Sequence, residues 1–188
     1  MVSQGLDSGE KPSELLEQGL LSGMNVIGKR FKAGEIFIPE VLIAARAMKA
    51  GMDLIEPLLS ESDASPRGTL VIGTVQGDLH DIGKNLAGIM FRGAGFNVVD
   101  LGVDVSADKF LKAAKEHNPA VIGLSALLTT TMVKMGDVVK VLRGNGVKST
   151  IVVGGAPITQ EYADSINADV FASSAADGVD RVLAQSAA

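Results

Sequence analysis

Two aspartates and a histidine share one short turn, Asp78-Leu79-His80-Asp81, in a chain that has only two histidines. A neutral imidazole can bind a metal through one ring nitrogen while its other N–H donates to a carboxylate, which orients the ring and raises its basicity. Asp78-x-His80 permits that pairing if the turn folds the aspartate back onto the ring. Two further stretches carry residue types that chain turning does not require. "SALLTTT", 125–131, sets hydroxyls inside an apolar segment, and "GGAP", 154–157, pairs two glycines that let something bulky approach the backbone closely.

Several chemistries fail on residue types alone. A phosphate loop needs Gly-Lys followed by Ser or Thr, with a glycine five residues before the second; here Gly83-Lys84 precedes Asn85, and position 78 is Asp. No G-x-G-x-x-G follows the first apolar run, so the dinucleotide fingerprint is absent. An acidic phosphate-accepting pocket needs an aspartate ending the third strand and a lysine ending the fifth, where Ser125 and Ser173-Ser174 stand. A zinc hydrolase needs several His or carboxylate ligands. Asp78, His80 and Asp81 are too close in sequence to close such a site unaided, and His117 falls at the far end of a predicted helix. A single protein ligand suffices when the metal already carries its other donors, as in a macrocycle; a long side arm on that macrocycle needs a deep slot. On these residues alone, the plain alternative stands equal: His80 a satisfied turn histidine and Asp78 a helix cap.

The elements around these residues explain their placement. Short apolar, β-branched runs occur at 69–75, 96–102, 120–127, 150–155 and 168–173, with helical stretches at 82–94, 106–117, 129–144, 159–166 and 176–186. Near-continuous apolar strands imply burial on both faces, which a parallel sheet with helices on each side provides. The alternation predicts an α/β fold: a doubly wound, five-stranded parallel sheet of flavodoxin-like order 2-1-3-4-5, over residues 69–188. Ligands of such sheets sit beyond the carboxyl ends of the strands. The Asp78–His80 turn, the Ser125 stretch and the Gly154-Gly155 pair all fall there, after strands 1, 3 and 4.

Before the sheet, residues 13–60 read as a small helical cap domain. Val41, Leu42, Ala45, Met48, Met52, Ile55 and Leu59 mark one face of a long amphipathic helix starting near Pro39. Shorter helices, interrupted near Gly23, precede it. Residues 61–68 are polar and read as a linker, and residues 1–12 as disordered.

Composition bounds the partners. The chain of 188 residues is 46% hydrophobic with a net charge of −5 and no block of Lys or Arg, which argues against nucleic-acid and anionic-membrane surfaces. Aromatic content of 4% leaves no base-stacking platform. No apolar run reaches the roughly 18 residues of a membrane span. With no cysteine, there are no disulfides, thiolate metal sites or cysteine nucleophiles. No signal-like segment opens the chain, and the expected location is cytoplasmic.

"DLHDIG" (78–83), "SAL" (125–127) and "GG" (154–155), in this order and each at a strand end, resemble the D-x-H-x-x-G, S-x-L and G-G signatures of corrinoid (cobalamin)-binding domains. The helical stretch "GMNVIGKRFKAGEIFIPEVLIAARAMKAG" (23–51) is similar to that family's cap. The chain resembles, more narrowly, the small corrinoid proteins of methyltransferase systems and the cobalamin-binding module of methionine synthase. In the family a further helix usually opens the cap, and here that helix is expected to be shortened or missing.

The resemblance implies a cofactor, cobalamin or a related corrinoid cycling between methylcob(III)amide and cob(I)amide, with His80 as the lower axial ligand of cobalt. Asp78 accepts the ring's other N–H in that family, and Thr131 takes the place of the hydroxyl that continues the relay. The loop residues Gly77, Leu79, Asp81 and Gly83 accompany them. Ser125, Leu127 and Thr129 are expected to line a channel for the displaced nucleotide tail, flanked by Gly154 and Gly155, with Ala172 and Ser173 at its far end. Phe37, Val41 and Met48 are candidates for covering the upper face, with ordinary helix packing the preferred reading of all three. The implied activity is methyl carriage between a donor-specific methyltransferase and an acceptor methyltransferase of the tetrahydrofolate or coenzyme M type, serviced by a reductive activating protein. One alternative is an adenosylcobalamin module of a mutase or light-sensing regulator, although the chain contains neither a barrel nor a DNA-binding segment. The other is a ligand-free flavodoxin-like interaction domain.

Overall fold

Residues 1–58 and 66–186 are described by the structure, a computed structural model. The N-terminal part is helical: α1 (Val2–Asp7), α2 (Pro12–Glu14), a π-helical segment Leu15–Leu21, α3 (Ser22–Lys32) and α4 (Ile38–Ile55). Five strands follow, β1 (Thr69–Thr74), β2 (Asn97–Asp100), β3 (Val121–Ser125), β4 (Thr150–Gly154) and β5 (Val170–Ala172). They alternate with α5 (Ile82–Gly93), α6 (Ala107–His117), α7 (Thr129–Gly144), α8 (Gln160–Ser165) and α9 (Ala175–Ser186). All pairings are parallel and the order is β2-β1-β3-β4-β5, as the alternation predicts.

The register matters more than the order. Thr74 lies opposite Ser125, Ser125 opposite Gly154, and Gly154 opposite Ala172. Four strands therefore deliver one residue each to a single row at the carboxyl edge of the sheet.

Each sheet face has its own apolar layer. Val71, Ile122, Ile151 and Val153 pack with Phe110 of α6 and Met135, Val138 and Leu142 of α7. Leu70, Ile72, Val121 and Val152 pack with Met90 and Phe91 of α5 and Val179 and Val182 of α9. Ile36 and Val41 join the second layer, so the N-terminal helices sit on the α5–α9 side. There Met24 closes on Gly93, where a Cβ would lie 3.0 Å from Met24 carbons.

Two expectations change in the N-terminal part. Residues 1–12, read as disordered, contain α1, whose Gly5 is buried against Leu15; a Cβ at Gly5 would lie 2.7 Å from Leu15 Cδ2. A long-range contact orders a stretch whose own composition has no helical stripe. The break near Gly23 is absent, and the helix runs on through Gly23 to Lys32. A mid-helix glycine costs only about 1 kcal/mol, which surrounding packing can absorb; the irregularity falls instead in the π-helical turns just before it. Of the linker 61–68, residues 61–65 lie outside the described residues, as do residues 59–60 at the end of the helical region. Arg67 and Gly68 are tied to the strand they enter, Arg67 N–H donating to Gly95 O and Gly68 O accepting from Asn97 N–H, both at 3.0 Å.

Candidate functional site

The chain leaves β1 at Thr74 and turns back at once. Asp78 N–H donates to Val75 O at 3.1 Å, and Gly77 takes φ +84°, a conformation open to glycine without strain. This turn buries Asp78 completely while the His80 side chain stays half exposed. Asp78 Oδ1 accepts from His80 N–H at 3.0 Å and lies 2.7 Å from His80 Nδ1. Its Oδ2 accepts from Leu127 N–H at 2.8 Å and from the Thr131 hydroxyl at 2.6 Å. Thr131 Oγ1 also lies 3.1 Å from Leu128 O, but its single proton goes to the closer, charged partner.

Burial pushes the Asp78 carboxyl upward. The hydrogen bonds from Thr131, the His80 and Leu127 backbone N–H groups and the His80 ring outweigh that push, and hold it well below the usual carboxylate range. An ionised carboxylate only accepts, so the ring nitrogen facing it carries the proton. The lone pair of a neutral His80 is then on Nε2, which has no hydrogen-bond partner among the described residues. The plain reading of Asp78 as a helix cap fails: Asp81 is the N-cap of α5, and Asp78 spans from the β1 turn to the β3–α7 turn.

Beside this turn lies a cavity of about 340 Å³ along the carboxyl edge, between α5, β4, β5 and α9. Gly83, Ser125, Gly154, Gly155, Ala172 and Ser173 all line it. Leu127 and Thr129, expected in its wall, are exposed side chains outside it; Leu127 contributes its backbone N–H to Asp78 instead. Ser174, Ala175 and Gly178 line it as well, and sequence reasoning missed them. The run of small residues in "ASSAADG" was the available signal.

The role of Gly155 changes, and of the cap candidates Val41 follows the helix-packing reading. A Cβ on Gly155 would lie 1.8 Å from Ala126 O, with φ at +138°, so the neighbouring loop by itself demands glycine there. Among the three cap candidates, Val41 is fully buried in the core and Met48 is half-buried, leaving Phe37 as the exposed one.

Other residues support the site unseen by sequence reading. Lys84, nearly fully buried, donates to Asp100 Oδ2 at 2.5 Å and to Asn85 Oδ1 at 2.6 Å, fixing α5 to the end of β2. Burial raises the Asp100 carboxyl, and the Lys84 and Gly102 hydrogen bonds reverse this and lower it. Asp177 accepts from Ser173 N–H and Oγ at 3.1 and 2.9 Å, and from Arg181 Nε at 3.0 Å. Those bonds and the Arg181 charge overcome burial and lower its carboxyl too.

No group of three or more His, Cys, Asp or Glu placed to hold a metal exists among the described residues. A metal at His80 Nε2 would therefore take one donor from the described residues and the rest from its own ligand. That donor set, with the small-residue cavity alongside, fits a macrocycle carrying a side arm.

Residues 68–183 match the family model described as B12 binding domain, and residues 1–56 match a second model of the same description. The chain belongs to the B12-binding domain family. Its cofactor is cobalamin or a related corrinoid, with the cobalt that a corrinoid carries. The chain is 44% identical to trimethylamine corrinoid protein 1 of Methanosarcina mazei over 98% of its own length and 87% of the relative's. It is 46% identical to dimethylamine corrinoid protein 1 of Methanosarcina acetivorans over 89% of the chain and 80% of that protein. The methanol:cobalamin methyltransferase complex of Methanosarcina barkeri contains a chain that superposes with a TM-score of 0.90 at 33% identity, covering 98% of this chain and 71% of that one. No described helix of this B12-binding protein is long and apolar enough to cross a membrane.

Proposed function

We propose that this B12-binding protein carries methyl groups between methyltransferases, with His80 as the lower axial ligand of the corrinoid cobalt. When bound, the corrinoid supplies a metal centre that accepts a methyl group and gives it up. The chain's own residues do the rest. Asp78 keeps the proton on Nδ1 and thereby presents the Nε2 lone pair. Thr131 and the Leu127 N–H keep that carboxylate charged although it is buried. The cavity bounded by Ser125, Gly154, Ala172 and Ser173 would hold the cofactor's nucleotide tail. Leu79, Leu127 and Leu128 on the same two loops and Ile82 at the start of α5 are exposed apolar side chains, a surface suited to a flat apolar ring. Specificity for the methyl donor lies with a donor-specific methyltransferase. A second methyltransferase, of the tetrahydrofolate or coenzyme M type, takes the methyl group, and a reductive activating protein restores the cofactor. The likeness to a chain of the methanol:cobalamin methyltransferase complex supports a methyltransferase partner.

The Asp78–His80–Thr131 arrangement with a free Nε2 carries this reading, and corrinoid titration tests it. The expected result is saturation at about one corrinoid per chain, with the cobalt(II) form showing an axial histidine nitrogen by electron paramagnetic resonance. His80→Ala removes that nitrogen and retains saturable binding through the tail cavity. Absence of saturable binding by the wild-type chain overturns the whole reading; a cobalt(II) signal without nitrogen-15 coupling in wild-type protein labelled with nitrogen-15 histidine overturns the ligand assignment.

A further inference from the structure

We propose that Thr74 and Asp104 are positioning residues for His80, holding the backbone of its loop so that the ring is aimed before a corrinoid arrives; this role presupposes that His80 is the axial ligand.

Asp78 fixes only part of His80, its N–H and its ring nitrogen. A residue held at that end alone pivots about it. The other end, the His80 carbonyl leading into α5, is held by the Thr74 hydroxyl at 2.9 Å. Thr74 is completely buried, and its backbone is already committed: N–H to Gly102 O at 3.0 Å and C=O accepting from Val105 N–H at 2.9 Å. Its hydroxyl is thus the polar group of Thr74 left for the site, and it donates to the His80 carbonyl.

Asp104 works from the opposite side. It stands on the loop between β2 and α6 in the left-handed region, φ +54°, which non-glycine residues seldom occupy. From there its Oδ1 accepts the Gly77 N–H at 2.7 Å, and its own N–H donates to Asp78 O at 3.1 Å. Gly77, Asp78 and His80 are therefore held by groups from outside their loop. A ligand side chain must sit within about half an ångström of its working position, and supporting hydrogen bonds of this kind provide that.

The variants are Thr74→Val and Asp104→Gly, which remove one bond each, and Thr74→Ser and Asp104→Asn, which keep it. Glycine suits the left-handed backbone at 104, so that removal adds no strain. All four are loaded with cobalamin, reduced to cobalt(II) and compared by electron paramagnetic resonance. The ratio of histidine-coordinated to uncoordinated cobalt should fall about three- to tenfold in Thr74→Val and Asp104→Gly, the factor that one net hydrogen bond carries. Thr74→Ser and Asp104→Asn should restore it, with the amount of bound cobalamin unchanged throughout. In cobalamin-free protein, the Gly77 amide should exchange faster in Asp104→Gly. If Thr74→Val does not fold, Asp104→Gly decides. A wild-type ratio in both removal variants overturns the positioning role and leaves the axial-ligand reading intact. A wild-type protein without a histidine nitrogen overturns both.

Discussion

At the scale of single residues, Asp78 concentrates the most consequence in one side chain. Asparagine in its place keeps the shape but turns one acceptor oxygen into a donor, facing either the Leu127 N–H and Thr131 or the His80 N–H and ring. A buried donor left against a donor costs about 1–3 kcal/mol. Asp78→Asn should therefore lower the melting temperature of the corrinoid-free protein by roughly 2–10 °C, measured by thermal denaturation at pH 7. The pH dependence has a fixed sign. The folded carboxyl lies below its unfolded value of about 3.9, so its stabilisation is fully present above that value and is lost as pH falls further. The Asp78→Asn variant should accordingly show a smaller loss of stability below about pH 4 than the wild type. Equal acid sensitivity in both would mean that the carboxylate is not held in its charged form.

At the scale of elements, the sheet was legible and part of its carboxyl edge was not. Strands such as "TLVIGTV" and "TIVVGG" declare themselves because burial on both faces leaves no polar alternation to confuse with a helix. The Asp78–His80–Thr131 group was legible only through the resemblance to corrinoid-binding domains: the residues alone left a satisfied turn histidine equally open, and Thr131 reaches Asp78 from 53 residues away. Asp104 and Lys84 were illegible because each acts through a partner on a different strand or loop, which no local pattern encodes; Thr74 and Asp177 act over only four to six residues, but through turns whose geometry the sequence does not state. The glycine pair was half legible. Both glycines line the cavity at the end of β4, but sequence cannot tell a glycine that admits a ligand from one that admits a carbonyl. Gly155→Ala must displace Ala126 O from 1.8 Å, and should cost about 4 kcal/mol or more, near the tail of single substitutions. Gly154→Ala meets Ala172 O at 3.2 Å, which a small shift relieves. Thermal denaturation should then show a fall on the order of 10 °C for Gly155→Ala and only a few degrees for Gly154→Ala, whose main effect should be weaker corrinoid binding. Equal melting temperatures would remove the structural role assigned to Gly155.

At the scale of the whole molecule, the question is what keeps the N-terminal helices on the α5–α9 layer. Two kinds of contact compete for that role. Lys32 at the end of α3 reaches Asp180 at 2.6 Å and Asp177 at 3.5 Å on α9, and Asp177 in turn holds Ser173 at the cavity wall. Beneath it, Met24, Ile36 and Val41 are buried against apolar side chains or the Gly93 backbone. A fully buried aliphatic side chain contributes about 1.5–3 kcal/mol, whereas exposed ion pairs contribute little and fade with salt. The apolar layer should therefore carry the docking, and the ions should trim it. The hydrogen bond to Asp180 raises Lys32 above its ordinary value, and Asp177 is lowered from its own, so the ionic part persists from about pH 4 to beyond pH 10. It is lost below that window as Asp177 protonates and above it as Lys32 deprotonates. Hydrogen exchange at pH 7 tests the balance. Lys32→Met, which keeps the stem and removes the charge, should speed exchange of α3 and α4 amides slightly, and 1 M salt should erase the difference from wild type. Val41→Ala, losing two buried carbons at about 0.8 kcal/mol each plus a cavity, should speed the same amides far more and at any salt concentration. In both variants the α6 and α7 amides on the opposite face should keep wild-type protection. If Lys32→Met opened the helical part as widely as Val41→Ala, the ion cluster rather than the apolar layer would be the hold between the two parts of the molecule.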